Sequence, residues 1–137
     1  MDALAAARRW AKTWERAWPR QDSEAIEALY ADGAAYRSLA FGPPTTVDRY
    51  LPAVFAKETE VECRFGEPVA SGDRAAVEWW ASWLEAGKPV TLAGVTMLRF
   101  DGEALVLDHR DYWNEVDRRE RPYGGWGEPQ RQTRIDS

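Results

Sequence analysis

Cysteine, histidine and surplus positive charge are the scarce features of this 137-residue chain, which holds one cysteine, Cys63, and one histidine, His109. A single cysteine excludes an intrachain disulfide. With no charged-then-apolar leader ahead of the first helix, a reducing cytosol is the expected, cytoplasmic compartment. One imidazole and one thiol, far apart in sequence, do not fill a nitrogen and sulfur shell, so metal catalysis is not expected and no cofactor is implied. The formal net charge of −5, with basic residues scattered among acids, is the wrong sign for a nucleic-acid or anionic-membrane partner. No apolar run approaches membrane-spanning length, internal repeats are absent, and the glycines form no phosphate-cradling loop. Serine or cysteine nucleophiles have no base in support beyond His109.

What is present is an ordinary globular composition, 45% hydrophobic and 30% charged, at a length that fits one core. Eight tryptophans stand out, each a large flat apolar body with a single N–H donor that must be buried or used.

Residues 3 to 18 are alanine-rich and free of proline, with Trp10, Trp14 and Trp18 at i, i+4 and i+8, the stripe of an amphipathic helix that Pro19 stops. Asp22 or Ser23 can cap a second short helix whose apolar side is Ala25, Ile26, Leu29 and Tyr30, ended by Asp32-Gly33. Ala34 to Leu39 reads as a short strand and Gly42-Pro43-Pro44 as a loop. A third helix follows, capped by Thr45 or Thr46 and buried through Tyr50, Leu51, Val54 and Phe55, with Pro52 kinking it or marking its start. From residue 59 the period becomes two. Val61, Cys63 and Phe65 alternate with polar residues, and turns at Ser71-Gly72-Asp73, Ala86-Gly87-Lys88 and Asp101-Gly102 delimit Ala75 to Leu84, Val90 to Phe100 and Ala104 to Val116. These are successive antiparallel strands, and their spacing leaves no room for parallel pairing. The expected fold class is α+β, with helices covering one face of the sheet. Residues 117–137, rich in Arg, Gln, Gly and Pro, read as a C-terminal arm or a disordered tail outside the domain of residues 1–116.

Two motifs carry a resemblance. Asp22-Ser23-Glu24-Ala25-Ile26-Glu27-Ala28-Leu29-Tyr30-Ala31-Asp32-Gly33-Ala34 resembles the second helix and first-strand entry of SnoaL-like proteins of the nuclear transport factor 2 superfamily, and His109-Arg110-Asp111-Tyr112-Trp113-Asn114 resembles their last strand. The resemblance spans roughly residues 5 to 116. It implies a cone-shaped, curled antiparallel sheet packed on three N-terminal helices, a cystatin-like roll around an aromatic-lined pocket, and a homodimer through the sheet. It is weak for activity, because this fold hosts isomerases, cyclases, hydrolases, dehydratases and plain binding proteins.

The departures from the family are informative. In register with the ketosteroid isomerases of the superfamily, the oxyanion tyrosine is replaced by Trp14 and the basic aspartate by Ser38, so that proton shuttle is not assembled. Asp111 matches the last-strand aspartate of limonene-epoxide hydrolases, but Val77-Glu78-Trp79-Trp80-Ala81 lacks the accompanying Arg-x-Asp pair. Asp111 also resembles the last-strand carboxylate of SnoaL-type cyclases, which implies an acid or base role.

Strand alternation puts Leu107, His109, Asp111 and Trp113 on one face. A carboxylate two residues from an imidazole in an apolar cup is a proton-transfer pair, because burial raises the acid's pKa while the neighbour holds or relays the proton. The plain alternative is a half-exposed His109 and an Asp111 paired with Arg99 or Arg110 as structure. The resemblance places Trp14, Tyr36, Phe55, Trp79 and Trp113 around a pocket for a small hydrophobic molecule. Trp79 and Trp80 face opposite ways, so one lines the interior and the other must be covered by the tail, a loop or a second subunit; Trp80, Trp83 and Met97 offer a dimer patch. Three functions stay open: a cofactor-independent cyclase, isomerase or lyase using Asp111 and His109, a ligand-binding protein, or a dimerisation scaffold with a solid interior.

Overall fold

The computed structural model describes residues 1–129; the last part of the expected tail, residues 130–137, lies outside the described residues. Helix α1 spans Ala3–Ala17, with the Asp2 carboxylate accepting from the Leu4 and Ala5 amides at its N-terminus. Its alanines bring the backbone close to the sheet, so that Trp10 and Trp14 can fill the space beneath. Helix α2, Ser23–Glu27, is capped by Asp22 and ends before Tyr30, which instead begins strand β1, Tyr30–Arg37. Helix α3, Val47–Phe55, starts ahead of Pro52 and contains it.

The remaining strands are β2 Glu58–Phe65, β3 Val69–Ser71, β4 Arg74–Glu85, β5 Lys88–Phe100 and β6 Val106–Val116. They form a curled, unclosed sheet in the order β1-β6-β5-β4-β2, with β3 also paired to β4. One pairing departs from the expected antiparallel arrangement: β1 runs parallel to β6, with Tyr36 beside His109. Parallel partners need a long crossover, and the chain between β1 and β6 contains α3 and strands β2 to β5. The sheet is therefore mixed.

The two faces of β4 have different fates. Trp79, Ala81 and Trp83 point toward the helices, whereas Trp80 points outward and donates its indole N–H to the Glu120 carbonyl at 2.8 Å. The segment after Val116 thus packs over the outer face as far as it is described. Thr91 donates to the Arg118 carbonyl, Trp126 is buried, and Glu67 donates its amide to the Gly127 carbonyl. Gly66 is needed at this contact, since a Cβ there would lie 2.9 Å from the Gly127 Cα. Trp83 does not share the outward patch with Trp80, because period two keeps it on the face of Trp79.

Candidate functional site

The helices and the concave face of the sheet line a cavity of about 540 Å³ that is open to solvent on one side. Trp14, Tyr36, Phe55, Trp79, His109, Asp111 and Trp113, each expected at the site, all line it. The interior is hollow, not solid. Trp10, Trp18, Tyr50, Glu58, Trp83 and Thr96 line it too, and the sequence did not single them out for the site.

Its polar floor is a single directed network. Asp111 and Thr96 are opposite one another on β6 and β5, and the Thr96 hydroxyl donates to Asp111 Oδ1 at 2.6 Å while accepting from the Trp79 indole at 2.9 Å. His109 Nε2 lies 2.8 Å from the same Oδ1, and His109 Nδ1 lies 2.8 Å from the Tyr30 hydroxyl. That hydroxyl also receives the indole N–H groups of Trp10 at 3.0 Å and Trp14 at 3.2 Å. A phenol oxygen has two lone pairs and one proton. Two indoles occupy the acceptor sites, so the Tyr30 proton must go to His109 Nδ1. Nε2 then carries the imidazole proton and donates it to Asp111, an assignment made by completing the network. Asp111 Oδ1 thus accepts from both neighbours and Oδ2 is left out of the network.

The surroundings hold this arrangement in place. His109 is stacked on Tyr36, with centroids 3.8 Å apart and planes at 19°, and Tyr36 stacks in turn on Tyr50 at 4.4 Å. The His109 side chain is 2% exposed and that of Asp111 11%. The plain alternative therefore does not describe this chain, since Arg99 pairs with Asp73 and Arg110 with Asp108. Gly94, opposite Trp113, makes the close approach of β5 and β6 possible, because a Cβ there would meet the Tyr112 carbonyl oxygen and the Trp113 Cβ at 2.8 Å.

Burial pushes the Tyr30, Tyr36 and Tyr50 phenols well above their ordinary range, so they remain hydrogen-bond donors. Glu58 is a second acid in the cavity. Burial raises it to about 7, against the opposing effect of the Trp18 indole, which donates to Oε1 at 2.7 Å. Burial also pushes the Cys63 thiol up to about 12, which suppresses the thiolate. Among the described residues, no group of three or more His, Cys, Asp or Glu side chains gathers as a metal site.

The sequence profile of the SnoaL-like domain matches residues 7–107. The chain belongs to the SnoaL-like domain family. Solved structures similar to this SnoaL-like protein share its fold at low identity. A hypothetical protein with a ketosteroid isomerase-like fold from Catenulispora acidiphila, crystallised with trimethylamine, is 22% identical over 74% of this chain and 82% of that one, with a TM-score of 0.64. An LEH-like epoxide hydrolase of M. tuberculosis is 16% identical, covering 82% and 86% of the two chains, with a TM-score of 0.66. An NTF2-like protein of unknown function from an Exiguobacterium species is 17% identical, covering 80% and 98%, with a TM-score of 0.65. No curated protein matches the chain at a significant level. No helix among the described residues is long and apolar enough to cross a membrane.

Proposed function

We propose that this SnoaL-like domain is a cofactor-independent proton-transfer enzyme, a cyclase, isomerase or lyase, acting on a small hydrophobic molecule with Asp111 as its base. The observation that carries the reading is the directed network, which ties Asp111 Oδ1 to Thr96 and His109 in the cavity lining; Oδ2, which makes no bond in that network, is the oxygen assigned to the substrate C–H. In this reading Asp111 takes a proton from carbon next to a carbonyl, the electron pair moves to the carbonyl oxygen, and the proton returns at another atom or leaves with a departing group. The buried Tyr36 and Tyr50 hydroxyls, which line the same cavity, are donors suited to the developing oxyanion. His109 is a positioning residue: its ring is clamped by Tyr36 and its N–H aims the carboxylate.

The test is α-proton exchange in deuterated water with a panel of small hydrophobic ketones, alongside binding read by tryptophan fluorescence. Wild-type protein exchanges at least one of them, and Asp111→Asn binds it without exchanging. Binding with no exchange by the wild type would favour a binding protein, the second reading, for which the aromatic lining suffices. A cytoplasmic location and a homodimer through the outer face of the sheet complete the proposal. Tyr112, 44% exposed, stands opposite Val95 on that face, and light scattering with Tyr112→Glu tests it by the loss of a dimer mass.

A further inference from the structure

Among the described residues, no lysine or arginine meets Asp111 or Glu58 inside the cavity. Asp111 is held by a hydroxyl and an imidazole N–H, and Glu58 by an indole N–H. Lys57, the one lysine or arginine of the cavity lining among the described residues, is exposed. A buried acid is stabilised either by keeping its proton or by meeting a positive charge.

Around Glu58 the walls suit one kind of positive charge. The Trp18 ring whose N–H reaches Glu58 packs on Trp79 with centroids 6.1 Å apart at 64°, and on Trp83 at 5.9 Å and 45°. Tilted indole faces attract a diffuse organic cation through the ring quadrupole. A compact metal ion instead requires several oxygen ligands and its own water, which these walls do not offer.

We propose that the cavity takes an organic ammonium, its head seated between Glu58 and the rings of Trp18, Trp79 and Trp83 and its hydrocarbon part reaching toward Asp111. The proposal rests on the cavity being a ligand site and names the class of ligand. Strand register gives the orientation. Glu58 pairs with Glu85 at one end of β4, whereas Asp111 shares a row with Thr96 and Val77, and Trp83 and Trp79 lie between these positions on the inward face. A head at Glu58 therefore keeps its charge off Asp111 and leaves that carboxylate for the reacting carbon.

The charge on Glu58 ties binding to pH. Glu85 across the strand pair, Lys57 beside it, the Tyr36 and Tyr50 phenols and the Cys63 thiol are the titratable groups facing it. Burial keeps the phenols and the thiol protonated at neutral pH, while Glu58 is raised to about 7. A bound cation favours the ionised carboxyl, so affinity rises with pH through that value and binding releases a proton.

Benzyltrimethylammonium, whose charge does not titrate, and neopentylbenzene, its neutral isostere, are the probes, with binding read by tryptophan fluorescence at pH 5.5 and pH 8. The cation binds roughly tenfold more tightly than the isostere at pH 8, and less so at pH 5.5. Glu58→Gln cuts the preference at pH 8 several-fold, to what the indole rings alone supply, and abolishes its dependence on pH. Equal or tighter binding of the isostere at pH 8, or a cation preference that Glu58→Gln leaves undiminished, overturns the ammonium proposal while leaving the cavity a ligand site. If neither probe binds, the ammonium proposal and the ligand-site reading fall together.

Discussion

Replacing Tyr30 by Phe removes one oxygen and breaks the network at its branch point. The hydroxyl accepts from Trp10 and Trp14 and donates to His109, so its loss strands two indole donors and one imidazole acceptor in a buried region. Each stranded group costs roughly 1–3 kcal/mol if nothing relaxes. The losses share one cavity and are not additive, and the phenyl ring keeps its packing, so a net loss of about 3 kcal/mol is the expected value. For a domain of this size that lowers Tm by on the order of 10 °C. Urea unfolding followed by far-UV circular dichroism measures it. Trp10→Phe, which removes one donor and leaves the Tyr30–His109 bond, serves as the smaller comparison. If Tyr30→Phe unfolds within about 0.5 kcal/mol of wild type, the ordinary range for an unimportant substitution, the network carries no such load. In the exchange assay the same variant slows turnover roughly 10- to 100-fold without loss of binding, because the carboxylate remains but is no longer aimed.

Glu58 gives a pH signature of opposite sign to that of an ion-paired acid. Its folded value of about 7 exceeds its unfolded one, so the native state holds the extra proton, and stability falls as pH rises from about 4.5 to about 7, by at most about 3 kcal/mol. Glu58→Gln should flatten that slope in urea unfolding across the same window, and an unchanged slope would contradict it. Thr96→Val removes both the donor to Asp111 and the acceptor of the Trp79 indole, for an expected loss of about 1–2 kcal/mol in the same unfolding assay. Gly94→Ala forces β5 from β6 at Trp113 and should lose about 3 kcal/mol, with a changed near-ultraviolet tryptophan spectrum. Gly66→Ala should detach the C-terminal arm and expose Trp80, read as a red-shifted emission and faster proteolysis after residue 116.

The fold was legible where the hydrophobic period was clean. Alternation in β2 and the tryptophan stripe of α1 each mark the face that packs inward, whereas β4 is buried on both faces from Trp79 to Trp83 because the arm covers Trp80. The parallel β1–β6 pairing was not legible, because it joins segments far apart in sequence and leaves no local pattern. Glu58 was hidden by a bulge. With Val61, Cys63 and Phe65 inward, simple alternation would send Glu58 outward, but a register shift between Thr59 and Glu62, with Glu60 at φ 52°, inserts the residue that turns it in. Tyr30 was masked because the pattern counted it in the apolar side of the second helix, whereas it begins β1. The available signal was chemical: Trp10 and Trp14 sit one turn apart with N–H groups that must find an acceptor once buried. Trp80 is a half-way case: alternation put Trp79 and Trp80 on opposite faces and offered three covers for the outward one without saying which it was, and the structure turns Trp80 out under the arm.

The base role of Asp111 stands on the direction of the hydrogen bonds at His109, and the chain's one histidine makes that direction measurable without ambiguity. A long-range proton–nitrogen correlation spectrum of uniformly labelled protein at pH 7 should show the imidazole proton on Nε2, with Nδ1 as the acceptor, and Tyr30→Phe should disturb that pattern. A proton on Nδ1 in the wild-type protein would reverse the Tyr30 and Asp111 bonds and contradict the presentation of Asp111 as a base.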